Sequence, residues 1–410
     1  MSKYEESGKF GVRIKSDCFI GIKILNSGGL YFDINSKVDS MYGNSNRKLL
    51  TELANFFGIK NANITFNDSG ALPFVIMARF ESVVRKLGLD DGKRFIPEYK
   101  YTYQKSMRDR FRRSRLYLPG DQPKLFLNAS IHGADGLILD LEDSVAPTVK
   151  AETRILVRNA LRAVEFKNSE RMVRINQFPM GLDDIDEIVP YGVHIILVPK
   201  VEVPEQLIEI DKRINSALIS LSTKRIDELG EIFLMPIIES AKGILNANVI
   251  AAASKRNVAL AIGLEDYTAD LGSQRTKEGK ESFFARQMIV NAARANNILA
   301  IDTVYSDVSD MDGLRESVLE AKSLGFDGKG CIHPRQIRIV HQAFSPTKEQ
   351  ISKAKKIVIA AEEAQKNGMG VVSLGSKMID PPIIKRAERV ITIAIKEGII
   401  GNDWRSNYDG

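Results

Sequence analysis

Two carboxylates carry the first chemical suggestion. Glu239 stands in PIIESAKG and Asp266 in IGLEDY, each directly after an apolar run. If those runs are neighbouring strands, their ends bring both acids within reach of one cation. Two carboxylates, completed by waters and substrate oxygens, are a usual way of holding Mg2+. Either acid could instead cap the helix that follows it. For Asp266 alone the cap is the better reading; the matched pair favours metal. Arg174 closes the run MVRIN, where a guanidinium offers a bidentate fork to a substrate carboxylate. The alternative is a structural pair with a neighbouring acid. Lys200, at the end of VHIILVPK, could bind substrate in the same way or simply be solvated.

Asp140, Glu142 and Asp143 crowd into LILDLEDSV. Acids so close repel one another and imply a cation, a shared proton or a nearby arginine, with Arg113 and Arg115 as candidates. Capping of the helical run that starts near Lys150 is the alternative. His333, in CIHPRQI, could be an acid or base, but no Ser-His-Asp spacing accompanies it and a structural hydrogen bond is the plainer reading. The run RDRFRRSR (108–115) holds five arginines and one aromatic. It reads first as a solvated charge run, then as a phosphate contact for a large acyl carrier, and last as a nucleic-acid patch.

Groups this far apart in sequence need a scaffold that gathers strand ends. Short apolar runs, each followed by helical sequence, begin at 115 (RLYLP), 136 (GLILDLED), 171 (RMVRIN), 193 (VHIILVPK), 231 (EIFLMPIIE), 258 (VALAIGLED), 299 (LAIDTVYSD) and 326 (FDGKGCIHP). Eight strands alternating with helices predict a (β/α)8 TIM barrel, whose chemistry sits at the C-terminal strand ends. A doubly wound sheet is the rival, weakened by the lack of a Gly-rich fingerprint after the first strand. Ahead of the barrel, FGVRI, CFIGIKI and LYFDI predict strands, 45–57 a helix, 62–66 a strand and 71–87 a second helix. The expected organisation is an α+β domain over 1–88, a linker over 89–112, the barrel over 113–345 and a helical extension or lid over 346–410.

The 410 residues are enough for at least two domains, and 44% hydrophobic with 27% charged residues is ordinary globular usage. A net charge of +6 suits acidic metabolites and is too small to argue for nucleic acid. Two cysteines, Cys18 and Cys331, exclude a disulfide scaffold and a cysteine-built zinc site. MSKYEESGKF shows no secretory signal and no run is long and apolar enough for a membrane span, so a soluble cytoplasmic protein is expected, without membrane or nucleic-acid partners.

RRSRLYLPGD, LILDLEDSVAP, VRIN, VPKVE, PIIESAKGI, GLEDYTADLG, DTVYSD, LGFDGKGCIHPRQI and GVVSLGSKMID resemble, in order, the motifs of the citrate lyase β-subunit group in the HpcH/HpaI aldolase and malyl-CoA lyase superfamily. The likeness covers about residues 111–398. It implies a barrel that cleaves a β-hydroxyacyl thioester, carried by CoA or by an acyl carrier, with Mg2+. By the resemblance Glu239 and Asp266 are metal ligands, Arg174 clamps the oxo-acid carboxylate, and Asp380 is an acid supplied to a neighbouring subunit. A homo-oligomer is thereby implied, and a citrate-lyase-type α-subunit is a candidate partner. Ser376 departs from the usual Gly before Lys-Met. Residues 8–88 are similar to the citrate lyase γ-subunit, an acyl carrier, through GVRIKSDCFIGI and DSGALPFVIMARFES. The carrier's prosthetic-group serine aligns with Lys15, leaving Ser16 as the one attachment point available after a one-residue slip. A docking or assembly role without the prosthetic group is the expectation for this domain.

Overall fold

The computed structural model describes residues 3–97, 105–366, 372–374 and 377–406. Its first compact unit spans Met1–Ile337 and holds two sheets. The smaller sheet has strands β1 (Tyr4–Gly8), β2 (Cys18–Ile24), β3 (Leu30–Ser36) and β4 (Ala62–Asp68) in the order β1-β2-β4-β3. β2 buries Cys18, Ile20 and Ile22 on one face, with Phe19 and Lys23 more open on the other, so one face of the sheet makes a core with the helices. Those helices are α1 (Asp39–Phe56) and α2 (Pro73–Leu87). Proline starts α2 and Gly88, at φ 70°, ends it in the left-handed conformation. The expected strand FGVRI is not one: residues 10–14 are irregular, and the edge strand is Tyr4–Gly8, of which only Ser7 is fully buried.

The larger sheet is a closed parallel barrel of β5 (Ser114–Pro119), β6 (Gly136–Asp140), β7 (Glu170–Arg174), β8 (Ile195–Val198), β9 (Phe233–Ile238), β10 (Ala259–Ile262), β11 (Leu299–Asp302) and β12 (Gly328–Cys331). β12 pairs with β5 to close the ring. Strands buried on both faces read mostly as apolar runs, which is why they are visible in the sequence; β12, Gly-Lys-Gly-Cys, is buried without being one. Their inward residues, among them Ile138, Met172, Leu197, Met235 and Ile301, form the barrel core.

α2 packs along the barrel helix α3 (Lys150–Ala163), and the join is ionic as well as apolar. Arg158 of α3 makes two hydrogen bonds to Glu81 (2.8 and 2.7 Å) and one to Glu187 (3.0 Å) of helix α4 (Gly181–Ile188). Arg79 of α2 grips Asp17 (3.0 and 2.9 Å) and faces Glu152 (3.4 Å), which also accepts from Ser7 (2.7 Å). All these groups are buried, so their charges are compensated by one another and not by water.

The arginine run is built into the base of the barrel. Arg112 is buried and makes a two-point contact with Glu170 (2.9 Å twice), while Arg108 donates to the carbonyls of Asn257 and Lys255. This corrects the reading of a solvated run. Its arginines approach Phe233 from the N-terminal side, with Arg108 and Arg112 each 5.8 Å from the ring centroid.

The second compact unit is Arg338–Gly410, and the division falls within the helix Pro334–Phe344. Helices Lys348–Lys366 and Pro381–Lys396 pack through Ile351, Ile357, Val358, Ile391 and Ala394 with Trp404, beside the hairpin of Val372–Leu374 and Lys377–Ile379. Ser376 lies outside the described residues. No helix among the described residues is long and apolar enough to cross a membrane.

Candidate active site

The C-terminal ends of the barrel strands surround a cavity of about 420 Å3, lined by Tyr117, Asp140, Asp143, Arg174, Glu239 and Asp266 among others. Register explains the gathering. Pro119, Asp140 and Arg174 are successive partners across β5, β6 and β7, so their side chains share the inner face. Glu239 follows β9 directly, in phase with inward Met235 and Ile237. Asp266 lies in the first turn of the short helix Leu264–Asp270, and the strand before it ends at Ile262. The expected run to Asp266 as strand is therefore corrected: the helix opens immediately after Gly263.

Glu239 is buried, and its Oε1 accepts the Lys200 backbone N–H (3.0 Å). Lys200 takes a left-handed turn at φ 51° and points its Nζ to within 3.7 Å of Asp266. Lys200 thus bridges the two proposed metal ligands, one through its backbone and one through its side chain. A Cβ at Gly263 would stand 2.3 Å from Glu239 Oε2, so a larger residue there would displace this carboxylate. Burial pushes the Glu239 carboxyl up to about 8; the Lys200 N–H works against this, and the charges of Asp266 and Glu142 add to it. A buried carboxylate with acidic neighbours and too little positive charge fits a divalent cation, and the donor set is all oxygen. No cluster of three or more metal-ligating side chains occurs among the described residues. The fit therefore rests on two carboxylates, which suffices for Mg2+ completed by other oxygens.

Arg174 is not an open fork. Its Nε and Nη2 donate to Asp140 Oδ1 (2.6 Å) and Oδ2 (2.7 Å), and Nη1 lies 3.0 Å from Glu142 and 3.7 Å from Asp143. The three acids have Arg174 as their shared cation. Neither Arg113 nor Arg115 fills that place. Burial alone would depress the guanidinium, but the hydrogen bonds and charge of Asp140 hold it above the usual arginine value. Asp140 is correspondingly lowered, its burial outweighed by Arg174. Tyr117, overlooked in the sequence, lies under the guanidinium with its ring centroid 5.2 Å from Cζ. Its alternation with Arg115 and Pro119 along β5 was the available signal.

Arg113 precedes β5, at the opposite end of the barrel from the mouth, and pairs there with Asp135 (3.0 Å at both Nε and Nη2). Its expected substrate contact is corrected accordingly. His333 Nδ1 accepts the Arg335 N–H (3.2 Å) at the start of a helix, a structural bond. Asp380 belongs to the second compact unit, where it is exposed and caps the helix Pro381–Lys396 by accepting from Ile383 N (3.3 Å). Ser16 is half-buried at φ 59°, its N–H bound to the Ser69 carbonyl (3.0 Å), with exposed Lys15 beside it.

Residues 113–334 match the family model described as HpcH/HpaI aldolase/citrate lyase. The chain belongs to the HpcH/HpaI aldolase/citrate lyase family. Residues 5–87 match an acyl-carrier model described as malonate decarboxylase delta subunit (MdcD). The chain is 42% identical to citrate lyase subunit beta of Haemophilus influenzae, over 71% of this chain and 99% of that one. It is 32% identical to the mitochondrial citramalyl-CoA lyase of Mus musculus, over 70% and 87% respectively. Among solved structures it is similar to CitE of Mycobacterium tuberculosis in complex with magnesium, acetoacetate and coenzyme A. That likeness has a TM-score of 0.56 and 29% identity, over 70% of this chain and 99% of that one.

Proposed function

We propose that this family member is a carbon–carbon lyase that cleaves a β-hydroxyacyl thioester to a 2-oxo acid and an acyl thioester. The observation that carries the reading is the pair Glu239 and Asp266, bracketing Lys200 at the mouth beside an acid-anchored arginine. Relatives named citrate lyase subunit beta and citramalyl-CoA lyase, and a neighbour solved with magnesium and coenzyme A, support it.

Magnesium held by Glu239 and Asp266 would supply Lewis-acid polarisation of the substrate's oxygens. Arg174, fixed by Asp140, lines the cavity and would orient the carboxylate next to the hydroxyl carbon. Lys200 adds a second positive charge at the mouth. Asp143, which lines the cavity with a 57% exposed side chain, is the carboxylate available to take the hydroxyl proton. The carbon–carbon bond then breaks, its electron pair becoming the thioester enolate. Asp380 of a second copy would return a proton to the enolate carbon. That step requires a homo-oligomer; a citrate-lyase-type α-subunit remains a candidate partner.

The docked first domain favours free CoA thioesters over a substrate carried on Ser16. Lysine stands at the attachment position, and α2 is tied to the barrel by buried ion pairs. Two buried free thiols, Cys18 and Cys331, agree with a reducing cytoplasm. The test is an assay of the full-length protein with citryl-, citramalyl- and malyl-CoA, with and without Mg2+. Mg2+-dependent release of a 2-oxo acid from at least one supports the reading, and none from any of them overturns it.

A further inference from the structure

Arg115 is a cation without a counter-ion in the barrel core. It alternates with Tyr117 and Pro119 on the inner face of β5 and lines the cavity two residues below Tyr117, roughly 7 Å deeper along the strand. It is 2% exposed. Nη1 donates to the Met235 sulfur (2.9 Å), and Nε has no hydrogen-bond partner. No carboxylate pairs with it among the described residues. Asp302 of β11, the carboxylate whose charge acts on it, is in register with Lys329 and is taken by it (2.7 Å) and by Arg286 (3.3 Å). Arg115 is instead in register with Gly330, which also lines the cavity, on one side and with Gly136 on the other, and neither brings a charge to it. Burial lowers its affinity for its proton, partly offset by Tyr117, Cys331 and Asp302.

An arginine in an apolar core is costly to hold unless something repays the desolvation. The acids of the mouth are already matched to Arg174 and to the proposed cation, so an anion from outside is the missing partner. We propose that Arg115 forms a second anion subsite at the floor of the cavity, reading a second free carboxylate on the acyl substrate. The inference rests on the lyase reading above and deepens it. Arg174 holds the carboxylate beside the hydroxyl, and Arg115 makes the enzyme selective for acyl units with a further carboxylate over those ending in a methyl group or hydrogen.

The test uses the full-length protein and two 2-oxo acids, oxaloacetate with two carboxylates and pyruvate with one, titrated calorimetrically in the presence of Mg2+. The wild type is expected to favour oxaloacetate by about 10- to 100-fold, the range of one charge-assisted contact. Arg115→Met should collapse that ratio to near one, while its melting temperature stays equal to or above that of the wild type, because an apolar chain of similar length relieves the buried charge. Equal affinity of the wild type for both acids would overturn the subsite, whatever the variant does. So would a destabilised variant that keeps the preference. Cleavage assays separate the two readings. An Arg115-dependent binding preference without turnover of any thioester leaves the subsite standing and removes the lyase. Turnover without any preference between one and two free carboxylates does the reverse.

Discussion

Arg174 and Asp140 face each other in register across β7 and β6 and close a two-point hydrogen bond of 2.6 and 2.7 Å. The pairing converts a flexible cation into a fixed one. It costs the arginine two of its donor groups and leaves Nη1 as the nitrogen turned to Glu142 and Asp143. Arg174→Lys cannot reproduce that geometry, since an ammonium has no planar fork. A fall in kcat/KM of about 100-fold or more is expected, read by steady-state kinetics, with the far-UV circular dichroism unchanged.

Glu239→Gln and Asp266→Asn should each remove Mg2+-dependent turnover. The direct check is Mn2+ binding followed by electron paramagnetic resonance: each variant should lose at least about 10-fold in metal affinity, since a neutral amide replaces a charged oxygen ligand. Full affinity in both would take these residues out of the metal site.

Asp380→Ala and Arg174→Ala protomers, each inactive alone, should recover part of the activity when refolded together, because one mixed pair assembles a complete site. Mixed oligomers, confirmed by native mass spectrometry, that remain inactive would place Asp380 outside the chemistry of a neighbouring subunit.

The join between the first domain and the barrel should be acid-sensitive. Burial raises the Glu187 carboxyl, but Arg158, Arg85 and Arg94 more than offset it and leave it below the ordinary glutamate range. A depressed folded value means stability that is present above the unfolded value, near 4.3, and lost as pH falls through the folded one. The protection of α2 against hydrogen exchange, relative to the intrinsic rate at each pH, should therefore fall as the pH drops below about 4. At pH 7, Glu81→Gln should destabilise the protein by about 3 kcal/mol, because it leaves the fully buried Arg158 half paired. Urea unfolding measures it.

Intact mass of protein from its native host should show Ser16 unmodified. A phosphoribosyl-dephospho-CoA increment on Ser16 would restore an acyl-carrier role.

The barrel was legible because its strands, buried on both faces, leave mostly apolar runs, and the mouth acids follow them. What the sequence hides is pairing at a distance. Nothing near Arg112 announces Glu170, 58 residues on, so a buried structural clamp reads as a solvated charge run. Arg174 and Asp140 are 34 residues apart, and only strand register joins them. β1 was invisible for another reason: as an edge strand with one fully buried residue it carries almost no alternation.

The ion pairs that fasten α2 to α3 and α4 also decide what the first domain can become. The loop following β1 reaches Asp121, just beyond the end of β5, through Lys9 (2.5 Å). Because the domain is covalently continuous with the barrel and locked against it, the local concentration of residues 9–17 at the rim is set by geometry alone. Dilution does not lower it, and subunit stoichiometry cannot vary. The first domain of this chain is thereby held as part of the barrel's outer wall.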